Sequence, residues 1–523
     1  MGWDRGLQVI GWLAIALLAV VTLGSLVAVS SRGPSIFELP VGASAILRFT
    51  ILQAVVSATL SVAFAIPLAR ALARRDFMGR DLVVAIIGAP FLLPSLVAVF
   101  GVLAIYGRSG AIRTFLIWAG LPDINIYGLP GILLTHIFFN LPLATRLILQ
   151  GWSDIPGEQF RLSAQLGLRA GEIFRILEWP MLKRIVPEAL LLVFLLCSTS
   201  FAVVLTMGGG PKSTTLEVAI YQALRFDFDM AAATTLSVLQ VFVCSSAVAF
   251  VALIQGKAIF GTTGFAVRER WDASTNAYRL LDATWMFSAA LFLLPPVFVV
   301  FTRGVLPIIA GLPAGVWDAT LSSVGVAVSA SLLTLTFGLA TAQVLDGLRS
   351  ANSSFGKFLE TIGFLPIAIS PFVLGTGLFI LINPIADPFA LALPLTAVIN
   401  ASLCVPLALR TLLPAFAKAR ERNLRLAQAL NLRGWTRFRV AIWPEIRRPA
   451  LFSAAIAAAL SMGDFGVVTL FALPDSGTLP VLMQRLMASY RMDEAAGVAV
   501  LLVVLSFGLF WLIDRGGRFG NQV

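Results

Sequence analysis

Apolar runs of roughly 20 residues recur along the whole chain, each long enough to cross ~30 Å of hydrocarbon as a helix. Lipid offers no partner for backbone N–H and C=O groups, so segments of this kind must satisfy them internally as helices. Composition points the same way. Of 523 residues, 58% are hydrophobic and 12% charged, against about 25% charged in an ordinary soluble domain. Mean hydropathy is +0.91. The expected class is an all-α membrane protein embedded in a lipid bilayer.

The runs fall near 7–29, 47–72, 82–106, 129–150, 186–207, 231–256, 281–303, 319–345, 358–382, 389–412, 449–472 and 495–514, giving about twelve expected spans. The first run, Leu7 to Val29 behind Arg5, is longer than a signal-peptide core and reads as an uncleaved helix. A net charge of +11 raises the question of nucleic acid. The basic residues, however, sit in short loops between apolar runs, where topology signals belong, so no nucleic-acid partner is expected. With both termini in the cytoplasm, the inner loops collect Arg70, Arg74, Arg75 and Arg80, then Arg161 to Arg184, Lys257 to Arg279, Arg349 and Lys357, and a dense set from Lys418 to Arg448. The outer loops hold only scattered basic residues, among them Arg32, Lys212 and Arg225. An error of one span would scramble this asymmetry. Cys197, Cys244 and Cys404 lie within apolar runs without paired spacing, so neither a disulfide nor a metal site is expected.

The chain repeats itself with a shift of 264 residues. Arg161-Leu162 matches Arg425-Leu426, Leu166 matches Leu430, and Leu168-Arg169 matches Leu432-Arg433. Phe174-Arg175 matches Phe438-Arg439, Trp179-Pro180 matches Trp443-Pro444, and Arg184 matches Arg448. Apolar coincidences mean little, but Arg, Trp-Pro and Phe-Arg agreements in a polar loop are rarely chance. An even number of spans per half makes the two halves parallel, related by an axis along the membrane normal. A path along that axis is the natural route for a solute.

Both copies of the repeated loop are basic, about 30 residues long, and patterned as two short helices. The first helix stops at Gly167 in one copy and Asn431 in the other, the two residue types that best tolerate a left-handed helix end. Each copy then reaches a proline, Pro180 or Pro444, thirteen positions further on. Taken alone, the loop also fits an amphipathic segment lying on lipid headgroups.

This spacing resembles the cytoplasmic loop of binding-protein-dependent importers of the ATP-binding cassette (ABC) superfamily, in which Glu-Ala-Ala, three residues and Gly precede a Pro. Here it aligns as Arg161-Leu162-Ser163 through Gly167 to Pro180, with Phe174 between, and as Arg425-Leu426-Ala427 through Asn431 to Pro444, with Phe438 between. Both copies lack the acidic residue and the second lacks the Gly, so docking is carried over and any contact of that Glu is not. The segments VAVFGVLAIYGRSG, GILLTHIFFNLPLATRLILQ, IPGEQFRLSAQLGL, MGGGPKSTTLEVAIYQAL and SMGDFGVVTLF resemble the thiamine and thiamine-pyrophosphate permeases of Gram-negative bacteria, across both halves.

The resemblance implies a type I importer permease fold in two tandem six-helix halves within the bacterial inner membrane. It places the first half at 1–256 with its core at about 47–252, a linker and seventh helix at 257–318, a second half at 319–514, and a cytoplasmic tail at 515–523. It also implies a periplasmic thiamine-binding protein and two copies of an ABC ATPase subunit, one per loop. The permease chain itself would carry no cofactor, and ATP would be bound by the partner. GGGPKST, Gly208 to Thr214, is a false phosphate-binding loop, since Pro211 precedes Lys212 and an apolar span precedes the motif.

Asp464, whose repeat partner is Ser200, stands inside an apolar segment. Intramembrane carboxylates usually face a path or a partner, so Asp464 and Ser200 are the candidate translocation residues for a cationic solute. The competing role for Asp464 is capping a broken helix between Gly463 and Gly466. His136, the single histidine, reads as a hydrogen-bonded packing residue. No catalytic constellation appears. Two other readings remain at this stage: the same architecture importing ferric iron, and a twelve-span secondary transporter. The duplicated long loop argues against the second.

Overall fold

The structure, a computed structural model, describes residues 5–32, 40, 42–80, 83–84, 93–108, 110–122, 125–254, 275–350, 353–432, 434–472 and 477–518. Among these, every regular element is a helix. Among the described residues, nine helices are long and apolar enough to cross a membrane: Val9–Ser31, Ala43–Arg74, Ser95–Trp118, Leu129–Asp154, Met230–Val251, Asn276–Ala310, Val316–Arg349, Ala392–Asn423 and Met492–Gly517.

Nine rather than about twelve qualify because three expected spans are built from pieces. The segments near 186–207 and 449–472 form Trp179–Ser198 and Trp443–Met462, each followed by a short helix, Ala202–Met207 and Gly466–Phe471. The segment near 358–382 is Ser354–Phe364, a 3₁₀ turn and Pro371–Ile382. Part of the expected span 82–106 lies outside the described residues, and its remainder is Ser95–Tyr106.

The chain packs as two compact units. One comprises Gly42–Val218 and Phe242–Arg303; the other comprises Met1–Val41, Ala219–Val241 and Gly304–Val523. The N-terminal helix thus belongs to the unit that holds the second half of the sequence, and most of Asn276–Ala310 to the unit that holds the first.

In the first unit, Ala43–Arg74, Leu129–Asp154 and Trp179–Ser198 pack against one another. The buried face of Ala43–Arg74 runs through Ala54, Ala58, Ala65, Ala69 and Leu72. Small residues at helical spacing let backbones approach closely, which replaces the hydrophobic drive that lipid removes. In the second unit the corresponding trio is Val316–Ser350, Ala392–Ala429 and Trp443–Met462, joined by Met492–Arg518. Ala450, Ala454 and Ala458 line the same kind of seam. The tightest approach in this unit is at Gly377, where a Cβ would fall 2.3 Å from the Cβ of Ser25. Asn276–Ala310 instead shows Phe287, Leu291, Leu294 and Phe298 exposed along one face. An outward apolar stripe at helical spacing is what a lipid-facing helix requires.

Candidate functional site

Pro156 determines how the first loop begins. It follows Leu129–Asp154, cannot continue that helix, and opens a new one, Gly157–Gln165. Ser163 donates its hydroxyl to the Gln159 carbonyl 2.8 Å away. The turn then closes with Leu168 N–H donating to the Ser163 carbonyl at 3.0 Å, and Gly167 sits at φ +64°. Arg169 N–H donates to the Glu172 carboxylate at 2.7 Å, fixing the start of Ala170–Ile173. A π-turn over Phe174–Glu178 follows without a break, Glu178 and Trp179 both keeping right-handed helical angles, and the helix runs on through Trp179-Pro180 to Ser198.

The second loop carries the same turn 264 residues later. Leu432 N–H donates to the Ala427 carbonyl at 2.8 Å, and Asn431 takes φ +51°. A π-turn spans Phe438–Ile442, and the helix continues through Trp443-Pro444 to Met462. One expectation changes here. The first short helix is not separate in this copy: Ala392–Ala429 runs through unbroken, because Arg420 stands where the first copy has Pro156.

Of the expected docking residues, Arg161, Leu162, Pro180 and Pro444 are exposed, Phe174 and Phe438 half-buried, and Ser163 and Ala427 buried as supports of the turn. The side chains of Arg425 and Leu426 lie outside the described residues. Each loop offers solvent a further apolar pair at matching positions: Leu166 and Ile176, 66% and 56% exposed, and Leu430 and Val440, 60% and 58% exposed. Ile176 and Val440 escaped the sequence reading because an Ile–Val match among apolar residues carries little weight. Trp435, stacked on Phe438 with centroids 5.3 Å apart, has Gly171 as its counterpart and belongs to the second loop only.

Deeper in each unit a helix breaks at matching places, Thr199–Phe201 and Gly463–Phe465. Ser200 and Asp464 both stand in the breaks. Asp464 accepts from Asn400 Nδ2 at 3.3 Å and from Val467 N–H at 3.4 Å, the latter bond capping Gly466–Phe471. Asn400 also donates to Ser461 Oγ at 3.0 Å. The first copy is wired differently. His136, which occupies the position of Asn400, places Nδ1 3.0 Å from Ser57 Oγ and is 2% exposed. Asn140 Nδ2 meets Cys197 Sγ at 3.2 Å, and Gln53 Nε2 donates to the Cys197 carbonyl at 2.9 Å. GGGPKST follows the helix Ala202–Met207 and forms a 3₁₀ turn, Pro211–Ser213, with Gly209 and Gly210 at positive φ.

No family model matches the chain. Relatives do. The thiamine transport system permease protein of Brucella abortus is 40% identical over 516 residues, 97% of this chain and 95% of that protein. Its counterpart in Salmonella typhimurium is 38% identical over 521 residues, covering 97% and 96%. That of Escherichia coli is 40% identical over 477 residues, covering 90% and 88%.

Long apolar helices, small-residue helix seams and matching basic turn elements define a multi-span membrane permease. The chain belongs to the family of thiamine transport system permeases.

Proposed function

We propose that this chain is the permease subunit of an ATP-driven importer that carries thiamine, thiamine pyrophosphate or both across the bacterial inner membrane. The observation that carries the reading is kinship at about 40% identity over nearly the full length to thiamine permeases. The ferric-iron and secondary-transporter readings gain no such support.

In this reading the core of the first half, about 47–252, and the second half, 319–514, are two type I transmembrane domains, and both termini lie in the cytoplasm. A periplasmic thiamine-binding protein delivers the solute, and two ATPase subunits bind and hydrolyse ATP. Each takes one loop, through Arg161, Leu162, Gly167, Phe174 and Pro180 or through Arg425, Leu426, Asn431, Phe438 and Pro444, with Ser163 and Ala427 behind the turn. Two matching left-handed turns, each followed by a helix with a π-turn just ahead of Trp-Pro, support this pairing. Closure of the ATPase pair moves the loops and shifts the permease between two states, which a ligand or nucleotide biases only through differential binding. Asp464 and Ser200, in the helix breaks, border the path.

The test is reconstitution of the permease with its ATPase subunit in liposomes. Thiamine-loaded binding protein is expected to raise ATP hydrolysis severalfold and to drive thiamine inward. Absence of both responses, with folded components, overturns the reading.

A further inference from the structure

Glu178 is the last residue of the first loop's π-turn and is fully buried, at 0% exposure. Its Oε2 lies 2.7 Å from a terminal nitrogen of Arg70, and its Oε1 4.0 Å from one of Arg74. The two arginines stand one turn apart on the same face of Ala43–Arg74. Arg70 also places its guanidinium over the Phe174 ring, 4.9 Å from the centroid, so it grips both ends of the π-turn. The cluster continues on the other side. Arg74 lies over the Tyr278 ring at 5.6 Å, and Arg75 pairs with buried Asp282 at 2.7 Å. Three arginines at one helix end therefore join the loop to the start of Asn276–Ala310.

The second loop is held by other means. Ile442 occupies the position of Glu178 and packs, with Phe438 and Trp443 against it, into an apolar cluster containing Phe416, Ala419 and Ile446. Its polar ties run from the continuous helix Ala392–Ala429: Arg420 pairs with Asp346 of Val316–Ser350 at 3.1 Å, Arg422 pairs with the more exposed Glu445 at 3.1 Å, and Asn423 Nδ2 donates to the Ala441 carbonyl of the π-turn at 2.8 Å.

We propose that Glu178 is a positioning residue for energy coupling: through Arg70 and Arg74 it makes the first loop move as one body with Ala43–Arg74. A π-turn is a place where a helix yields. Without the latch, displacement of the loop by an ATPase subunit is absorbed at Phe174–Glu178 instead of reaching the span. The second loop has no buried carboxylate at this position, and its π-turn is pinned instead by apolar packing and by the Asn423 hydrogen bond to the Ala441 carbonyl. The coupling elements are therefore unequal, one latched through a buried carboxylate and the other held by apolar packing and a hydrogen bond to its π-turn. This inference rests on the importer reading above.

The experiment measures thiamine taken up per ATP hydrolysed in liposomes holding permease, ATPase subunit and thiamine-loaded binding protein. If wild type shows neither stimulation nor uptake, the importer reading fails. With wild type active, Glu178→Gln is expected to lower the uptake-to-hydrolysis ratio at least fivefold while the ATPase subunit still co-purifies and basal hydrolysis stays within twofold. Glu178→Asp is expected to recover at least half of the ratio. A wild-type ratio in Glu178→Gln, or uptake and hydrolysis falling together in proportion, overturns the latch. Should Glu178→Gln not assemble, Arg70→Gln decides, since it removes both the 2.7 Å ion pair with Glu178 and the cation over the Phe174 ring. A ratio reduced at least twofold supports the latch, and an unchanged ratio overturns it.

Discussion

Asn431 at φ +51° and Gly167 at φ +64° do the same work with different residues. A left-handed conformation costs most L-residues about 1–2 kcal/mol, Gly nothing, and Asn little. Gly167→Ala is therefore expected to destabilise the first loop by about 1–2 kcal/mol, although a Cβ there meets no atom within 4 Å. Asn431→Gly should be neutral to within about 0.5 kcal/mol. Proteolytic susceptibility of the two loops in detergent reads both. Asp464→Asn separates the two roles open to that carboxylate. Asn caps a helix as well as Asp does, so thermal stability should hold. Thiamine uptake should fall at least fivefold if the charge borders the path; unchanged uptake reduces Asp464 to a cap. The turn was legible because Gly and Asn are the residues that most readily end a helix this way. Glu178 was not, because its partners lie far earlier in the chain and nothing local marks one glutamate in a basic loop as buried.

Helices were legible wherever a run was long and apolar, since lipid leaves the backbone no alternative. Their interruptions were only partly so. The break at Gly463–Phe465 was read from Asp464 between glycines, whereas its partner at Thr199–Phe201 carries no such signal. The π-turns at Phe174–Glu178 and Phe438–Ile442 leave no trace in periodicity, because an extra residue in one turn shifts the apolar pattern by less than a short helix resolves. The continuity of Ala392–Ala429 follows from one residue: without a proline at position 420, the span continues past the point where Leu129–Asp154 stops. That extension brings Arg420 against Asp346, whose side chain is 3% exposed while that of Arg420 is 26% exposed. Removing the acid leaves a base that water can partly reach, so Asp346→Ala should cost about 1–2 kcal/mol rather than the full penalty of an orphaned buried charge. A fall in the melting temperature of the detergent-solubilised protein, with Arg420→Ala and the double variant closing a cycle, measures the pair's own contribution.

At the scale of the whole molecule, the distribution of Lys and Arg makes a claim about sidedness. Positive charge is retained on the cytoplasmic side of short loops, and both π-turn loops are basic while the segment around Lys212 is nearly uncharged. The repeat demands more: an even number of crossings between Arg175 and Arg439, so that both loops meet the same compartment. The chain is well suited to the measurement, because Cys197, Cys244 and Cys404 are all buried and give little background to a thiol reagent. Lys212 and Arg439 are exposed, so a cysteine at either position is accessible in the folded protein. Lys212→Cys should react with a membrane-impermeant maleimide added outside intact spheroplasts. Arg175→Cys and Arg439→Cys should stay unlabelled until the membrane is opened, and then react alike. Labelling of position 439 but not 175 from outside would mean an odd number of crossings between the loops. A single ATPase dimer on one face could not then engage both, and the turn-and-helix match between Gly167 and Asn431 would have to serve two different partners.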